Sequence, residues 1–230
     1  MLETDEPLAI PLWINGHAYL TMAPTFLDVR NPVSGAILRR TPLCGAGEAH
    51  KAAEAAQAAL GAWFAQAAGQ RAALLSAVGD ALAAYTEHFA RLIAEETGKA
   101  LDAATAEVGA AVLLLRSATG SALGGVVAIV SDDGAPLSGA LSHAVPALSG
   151  GATVVVKPSP KAPSAVFALA ELTARSGLPA GVFNVLQGDE AAVEGLCTSP
   201  DVSLLLFSGE AALGAKVGAI AARHGKPFAA

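Results

Sequence analysis

Thr153-Val154-Val155-Val156-Lys157-Pro158-Ser159 is an apolar run without polar alternation that stops at a lysine and a proline. A strand with one wet face alternates apolar and polar residues, whereas an unbroken apolar run suits a strand covered on both faces. Three further runs share the pattern: Val126-Val127-Ala128-Ile129-Val130, Val182-Phe183-Asn184-Val185 and Ser203-Leu204-Leu205-Leu206-Phe207. Helical spacing fills the intervals, at about 138–148, 164–176, 190–198 and 211–224. Buried strands joined by helices predict a parallel sheet with helices on both faces.

Upstream the pattern differs. Leu12-Trp13-Ile14-Asn15-Gly16-His17-Ala18-Tyr19 predicts a hairpin, because Asn-Gly supplies two positive-φ residues for a tight turn. Phe26 to Val29 reads as extended and runs into the turn signal Asn31-Pro32, and Ser34-Gly35 turns again into Ala36-Ile37-Leu38. From Glu48 the period becomes helical, with Ala52, Ala55, Ala56, Ala59, Leu60 and Trp63 at three- and four-residue steps. A second helix is expected over about 70–85 and a third up to Thr97-Gly98, where glycine suits a helix end. A fourth is expected over 101–116, buried on most sides because residues 108–115 are almost wholly apolar. The chain therefore reads as α/β: a doubly wound, mostly parallel, Rossmann-like sheet preceded by a short β-hairpin region and helices. All 230 residues are taken as one domain, with strands and turns at 1–45, helices at 46–120 and the βαβ part at 121–230.

Composition narrows the function classes. Apolar residues make up 53% of the chain and charged residues 15%, which supplies a core and argues against disorder. Much of the apolar share is alanine, so close helix packing is expected. A net charge of −6 offers no basic footprint for nucleic acid. No apolar run is long enough to span a membrane. The acidic start, Met1-Leu2-Glu3-Thr4-Asp5-Glu6, does not resemble a secretory signal, so a cytoplasmic protein is expected. Cys44 and Cys197 lie far apart without CxxC spacing and read as reduced thiols. The histidines lack HxxxH or HExxH spacing, so no metal site is expected.

Ligands of doubly wound sheets bind beyond the carboxyl ends of the strands. Four loops fall there: 131–136, 157–163, 187–190 and 208–214. Lys157, directly after a strand, can reach ribose hydroxyls or a phosphate. Gly209 and Gly214 flank the start of the last helix, where glycine admits close backbone approach and a helix N-terminus attracts anions. Neither GxGxxG nor GxxxxGK[ST] occurs.

Asn31-Pro32 with Gly35, Trp63, Arg71, Glu96-Thr97-Gly98-Lys99 and Glu107-Val108 stand in an order similar to the N-terminal signature of the aldehyde dehydrogenase superfamily, and the resemblance runs over nearly the whole chain from about residue 12. Pro146-Ala147-Leu148, then Gly150 to Ser159, resembles its PAL-x-x-GN-TVVVKPS segment. Gly177-Leu178-Pro179-Ala180-Gly181-Val182-Phe183-Asn184-Val185 resembles GLPPGVFNV. Pro200-Asp201-Val202 and Phe207-Ser208-Gly209-Glu210 with Gly214 resemble HPDV and FTGS-x-x-x-G. The resemblance implies a coenzyme-binding domain that receives NAD or NADP, with Lys157 at the adenosine ribose and the Gly209 helix start near the pyrophosphate. Ser159, Gly188, Phe207 and Gly214 complete the implied cofactor contacts. No catalytic residue is assigned.

The departures from that family set the functional expectation. The family's thiol nucleophile and water-activating glutamate belong to a downstream domain, and residue 230 falls where its next strand should begin. Cys44 and Cys197 are not placed to substitute. The PWNFP loop, which supplies an oxyanion-stabilising amide, matches Asp132-Asp133-Gly134-Ala135-Pro136, with Gly134 at the asparagine position. Loss of one such donor costs about 3–4 kcal/mol. Glu210 stands at the final serine of FTGS, where a carboxylate repels a pyrophosphate. Pro160 replaces an acidic residue and Lys161 follows, an exchange that favours the 2′-phosphate of NADP. Only 116–124 remain where the family inserts a pairing hairpin, so the usual dimer is not expected. The first reading is a non-catalytic structural or regulatory subunit docked on another protein, such as a complete oxidoreductase. The alternatives are an N-terminal fragment or split half of a dehydrogenase, and an NAD(P)-sensing module.

Overall fold

A computed structural model describes residues 7–120 and 123–230. The acidic stretch at residues 1–6 and two positions of the 116–124 connection lie outside them. The hairpin at the Asn-Gly turn forms as β1 (Leu12–Ile14) and β2 (His17–Tyr19), with Asn15 at φ 53° and Gly16 at φ 78°. Next come β3 (Phe26–Arg30) and β4 (Ile37–Pro42), a separate two-stranded ribbon. Its turn is held by the Asn31 side chain, whose Oδ1 accepts from the N–H groups of Val33 and Ser34. Four helices follow: α1 (Ala46–Phe64), α2 (Ala68–Ala84), α3 (Thr86–Thr97) and α4 (Leu101–Arg116). Gly98 closes α3 in the left-handed conformation, φ 73°.

The second half alternates strand and helix: β5 (Val126–Ser131), α5 (Ser138–Gly150), β6 (Thr153–Lys157), α6 (Ser164–Arg175), β7 (Phe183–Val185), α7 (Glu190–Thr198), β8 (Val202–Ser208), α8 (Ala211–Arg223) and β9 (Phe228–Ala229). The sheet order is β2-β1-β7-β6-β5-β8-β9. Strands β5 to β9 are parallel to their neighbours, and β1 adds antiparallel on β7 through Trp13 and Val185. The N-terminal hairpin is thus an edge of the main sheet rather than a separate appendage. Asn184 makes that join: its Oδ1 accepts from the Asn15 N–H, and its Nδ2 donates to the carbonyls of Val154 and Gly181. The chain runs from β5 outward to β7, then returns to place β8 on the other side of β5. The topological switch point therefore lies at the carboxyl ends of β5 and β8.

Successive strand residues face opposite sides. Val127, Ile129, Val154 and Val156 join α2 to α6 in one core, while Val126, Ala128, Val130 and Val155 join α1, α7 and α8 in the other. Each fully buried valine or isoleucine contributes about 1.5–3 kcal/mol. The second core is built from small residues, as the alanine content predicts: Ala49, Ala52, Ala53 and Ala56 are buried, and a Cβ at Gly195 would lie 2.7 Å from Ala46 and Ala49.

Two expectations of burial need correction. Helix α4 has the expected ends but is not buried on most sides. It buries Ala104, Glu107, Val108, Ala111, Val112 and Leu115 and leaves Leu113 66% exposed. Strand β8 alternates after all: Ser203 is exposed and Leu204 and Leu206 are half-buried, because one face of this part of the sheet is only partly covered.

The helix ends carry the polar links between the halves. Glu107 accepts from the N–H groups of Leu137 and Ser138 at the start of α5 and pairs with Lys99. Trp63 Nε1 and Arg71 Nε donate to the carbonyls of Leu148 and Ser149 at the other end of the same helix. Glu96 accepts from the backbone and hydroxyl of Ser164 at the start of α6, with Arg39 Nε 3.1 Å away as a charge contact. Truncating a buried acceptor leaves its donors desolvated and unpaired. Glu107→Ala is expected to lower unfolding free energy by about 2–4 kcal/mol. Glu107→Gln, which keeps an acceptor, should lose less. Urea midpoints with unchanged slopes would show this, and equal losses in the two variants would refute the capping role.

Candidate functional site at the switch point

Helix α8 stands beyond the switch point and divides it into two clefts. Leu213, Lys216, Val217 and Ile220 face one; Ala211, Gly214, Ala215 and Gly218 face the other. The first cleft, about 220 Å3, is closed by Val130, Ser131 and Asp132 from the end of β5, Lys157, Ser159 and Pro160 from the end of β6, and Val193 of α7. The second, about 600 Å3, is lined by His143, Phe207, Ser208, Gly209 and Phe228.

The expected contact residues divide between these spaces. Lys157 and Ser159 line the smaller cleft, while Phe207, Gly209 and Gly214 line the larger. Gly188 lines neither and contributes its carbonyl, which accepts from Lys157 Nζ at 2.8 Å. Its φ of 141° and its packing on the Cys44 backbone and Ala192 leave no room for a side chain. The sequence reading missed the apolar wall of Leu213, Val217 and Ile220, although their i, i+4, i+7 spacing marks one helix face. It also missed Ser131 and His143, whose Nε2 lies 3.0 Å from the Phe207 carbonyl. No pattern in the sequence singles out either.

Lys157 is 4% exposed and hydrogen-bonds only to carbonyls, those of Pro158 and Gly188. An ammonium has three donors, so one remains for the cleft. Burial lowers its pKa to about 8, opposed by the charge of Asp189. Ser131 Oγ is buried without a hydrogen-bond partner, on the face of β5 that carries Val127 and Ile129 and away from α8. Ser159 Oγ donates to Asp133 Oδ1 at 3.3 Å. An ammonium, a hydroxyl and an apolar wall suit a ribose and a heterocycle.

The start of α8 is different. Asp132 Oδ2 accepts from the Glu210 N–H at 2.7 Å, and Oδ1 accepts from the Gly134 N–H at 2.9 Å. Gly209 has φ 150°, and a Cβ there would overlap the Asp132 carboxyl. The helix N-terminus that attracts anions thus already holds one, from the chain itself. Gly134 sits in the same loop and offers no side-chain donor.

Neither thiol is near this chemistry. Cys44 and Cys197 are buried in the core shared by α1, α7 and α8. Burial, with Glu48 adding to it, raises the Cys44 pKa to about 12, and burial raises that of Cys197. Both are protonated and inert at neutral pH. Among the described residues no group of histidines, cysteines and carboxylates could hold a metal, and no helix is long and apolar enough to cross a membrane.

The sequence pattern described as "Aldehyde dehydrogenase family" matches residues 20–124 and 117–230. The chain belongs to the aldehyde dehydrogenase family. It is 34% identical over 211 residues to the succinate-semialdehyde dehydrogenase [NADP(+)] of Escherichia coli (strain K12), covering 82% of this chain and 44% of that protein. The glutarate-semialdehyde dehydrogenase of Pseudomonas aeruginosa gives the same identity and coverage. Among solved structures, lactaldehyde dehydrogenase from Escherichia coli superposes with a TM-score of 0.87 at 28% identity, over 96% of this chain and 51% of that one. An NAD-dependent aldehyde dehydrogenase from Sinorhizobium meliloti gives 0.88 at 29%, over 96% and 49%. The chain thus spans about half the length of these aldehyde dehydrogenases, over their N-terminal portion.

The buried cation provides a test of the site's electrostatics. Between pH 8 and 10.5 the unfolded Lys157 holds a proton that the folded one has shed, so folded stability rises with pH across that window. Relative to Lys157→Met, the wild-type protein should gain about 2–3 kcal/mol between about pH 7 and about pH 10. Urea unfolding of both proteins at the two pH values measures it; a pH-independent difference would place the ammonium in contact with water.

Proposed function

We propose that this chain is a non-catalytic member of the aldehyde dehydrogenase family that keeps a nucleotide cleft and works as a structural or regulatory subunit of an oxidoreductase. The observation that carries the reading is the β5–α5 loop. Acyl transfer through a thioester needs a positioned thiolate and donors for the developing oxyanion. At that loop the chain presents Asp132 and Asp133 and a glycine at 134, so the loop adds negative charge and has no side-chain donor at the matched position. The only two cysteines of the sequence lie in the core with raised pKa values.

NAD and NADP are the ligand class tied to the retained cleft, through Lys157 and Ser159 at the ribose and the α8 wall at the ring. Gly188 holds the lysine in place. Phe207, Gly209 and Gly214 belong to the space beyond, on the side of the pyrophosphate. Lys161, one residue past Pro160, is the cation available to a 2′-phosphate.

A second reading has one observation in its favour: the chain matches 44% of the length of its curated relatives. These residues would then be the coenzyme half of a longer or split dehydrogenase, with the thiol supplied by another segment or polypeptide.

The purified 230-residue protein is expected to reduce neither NAD nor NADP with semialdehyde substrates, followed by coenzyme absorbance. Aldehyde-dependent reduction by the pure chain would overturn the non-catalytic reading. Reduction that appears only after a cysteine-bearing partner polypeptide is added would replace it with the split-enzyme reading.

A further inference from the structure

We propose that Asp132 is a specificity-determining residue that makes the cleft beside Lys157 accept an uncharged nucleoside and reject the phosphates of a dinucleotide. The proposal rests on the reading of this cleft as a nucleotide site and names which part of the nucleotide it keeps.

Three observations converge. First, a carboxylate already stands at the anion seat: Asp132 accepts from the backbone N–H groups of Glu210 and Gly134 and lies against Gly209. Asp132 is fixed there from its other side, since its own N–H donates to the Ser208 carbonyl at 3.1 Å. A phosphate arriving at the start of α8 would have to displace a bonded carboxylate or lie against it.

Second, the surrounding charge repels phosphate. The cleft has two ammonium groups, Lys157 and Lys216, and three carboxylates, Asp132, Asp189 and Glu190. Asp133 adds a fourth through its bond with Ser159. Glu190 is offset by Arg223 at 3.9 Å, and the three other carboxylates against two ammonium groups leave a local surplus of negative charge, which opposes a second anion.

Third, the neutral part of the cleft is intact and unsatisfied. Val193, Leu213, Val217 and Ile220 form an apolar wall. At its polar end the third donor of Lys157 awaits a ligand with hydroxyl groups. The volume, about 220 Å3, lies below the range of roughly 300–1,000 Å3 typical of drug-sized ligands. A flat heterocycle carrying a vicinal diol meets these demands without bringing charge.

Titration calorimetry with adenosine and with NAD on the 230-residue protein, Asp132→Asn and Asp132→Ser tests the idea. The wild-type protein should bind adenosine more tightly than NAD by about tenfold or more. Asp132→Asn removes the charge but keeps the shape and one acceptor, so it should fold as the wild type does. It should tighten NAD binding about tenfold and leave adenosine within about twofold. Asp132→Ser, which also empties the space, should tighten NAD further. Wild-type protein that binds NAD as tightly as adenosine, or variants that leave NAD unchanged, would overturn the role of Asp132 while keeping the nucleotide cleft. Failure of every protein to bind either ligand would overturn the cleft reading and this inference together.

Discussion

Every helix that follows a parallel strand in this chain begins on a carboxylate. Glu107 sits at the start of α5, Glu96 at α6, Asp189 at α7 and Asp132 at α8. The reason is common to all four. The first turn of a helix exposes N–H groups with no internal partner and concentrates about half a positive charge. Where that turn faces the interior or a neighbouring loop, a fixed carboxylate satisfies the donors and the charge together. Two of the four come from the helical layer of α3 and α4, which is how a bundle of alanine-rich helices becomes registered on a sheet. With Trp63 and Arg71 at the far end of α5 and Glu107 at its start, three residues of the N-terminal half hold one helix at both termini.

This division of labour explains what was legible in the sequence. Element order and most boundaries were readable because period and punctuation report them locally: the Asn15-Gly16 turn, the Gly98 stop, the unbroken Val126–Val130 and Thr153–Val156 runs. Burial was less readable. Residues 108–115 of α4 are apolar all round, and only the placement of α2, α3 and α5 decides that Val112 and Leu115 go in while Leu113 stays out. In β8, Leu204 and Leu206 have the composition of a covered strand and a half-covered environment. The family motifs marked Trp63, Arg71, Glu96 and Glu107 as a set without saying what they do, because each acts on a helix end 68 or more residues away, or 30 in the case of Glu107.

The site was readable to a similar degree. Topology alone pointed to the loops beyond β5, β6, β7 and β8, and the cleft lies there. Lys157 was found by its place after a strand, but its burial was not, since nothing local in Lys157-Pro158-Ser159 distinguishes a solvated lysine from one bonded to the carbonyls of Pro158 and Gly188. That burial makes the residue a rigid element. A lysine whose stem is enclosed and whose head is held at two points loses little further freedom on meeting a ligand, so its remaining donor acts at low entropic cost.

The α8 terminus is where stability and binding compete for the same groups. A dinucleotide site leaves N–H donors open for a ligand, at a cost in the free protein that ligand binding repays. Here one of those donors, the Glu210 N–H, is closed by Asp132, and Gly209, whose lack of a side chain would let a phosphate approach, instead lets the Asp132 carboxyl approach. The glycine is required in both cases, so its retention does not by itself signal a phosphate. The exchange sets a fixed negative charge at the terminus without a ligand. A chain built this way holds the start of α8, and with it the apolar wall of the cleft, through a contact of its own.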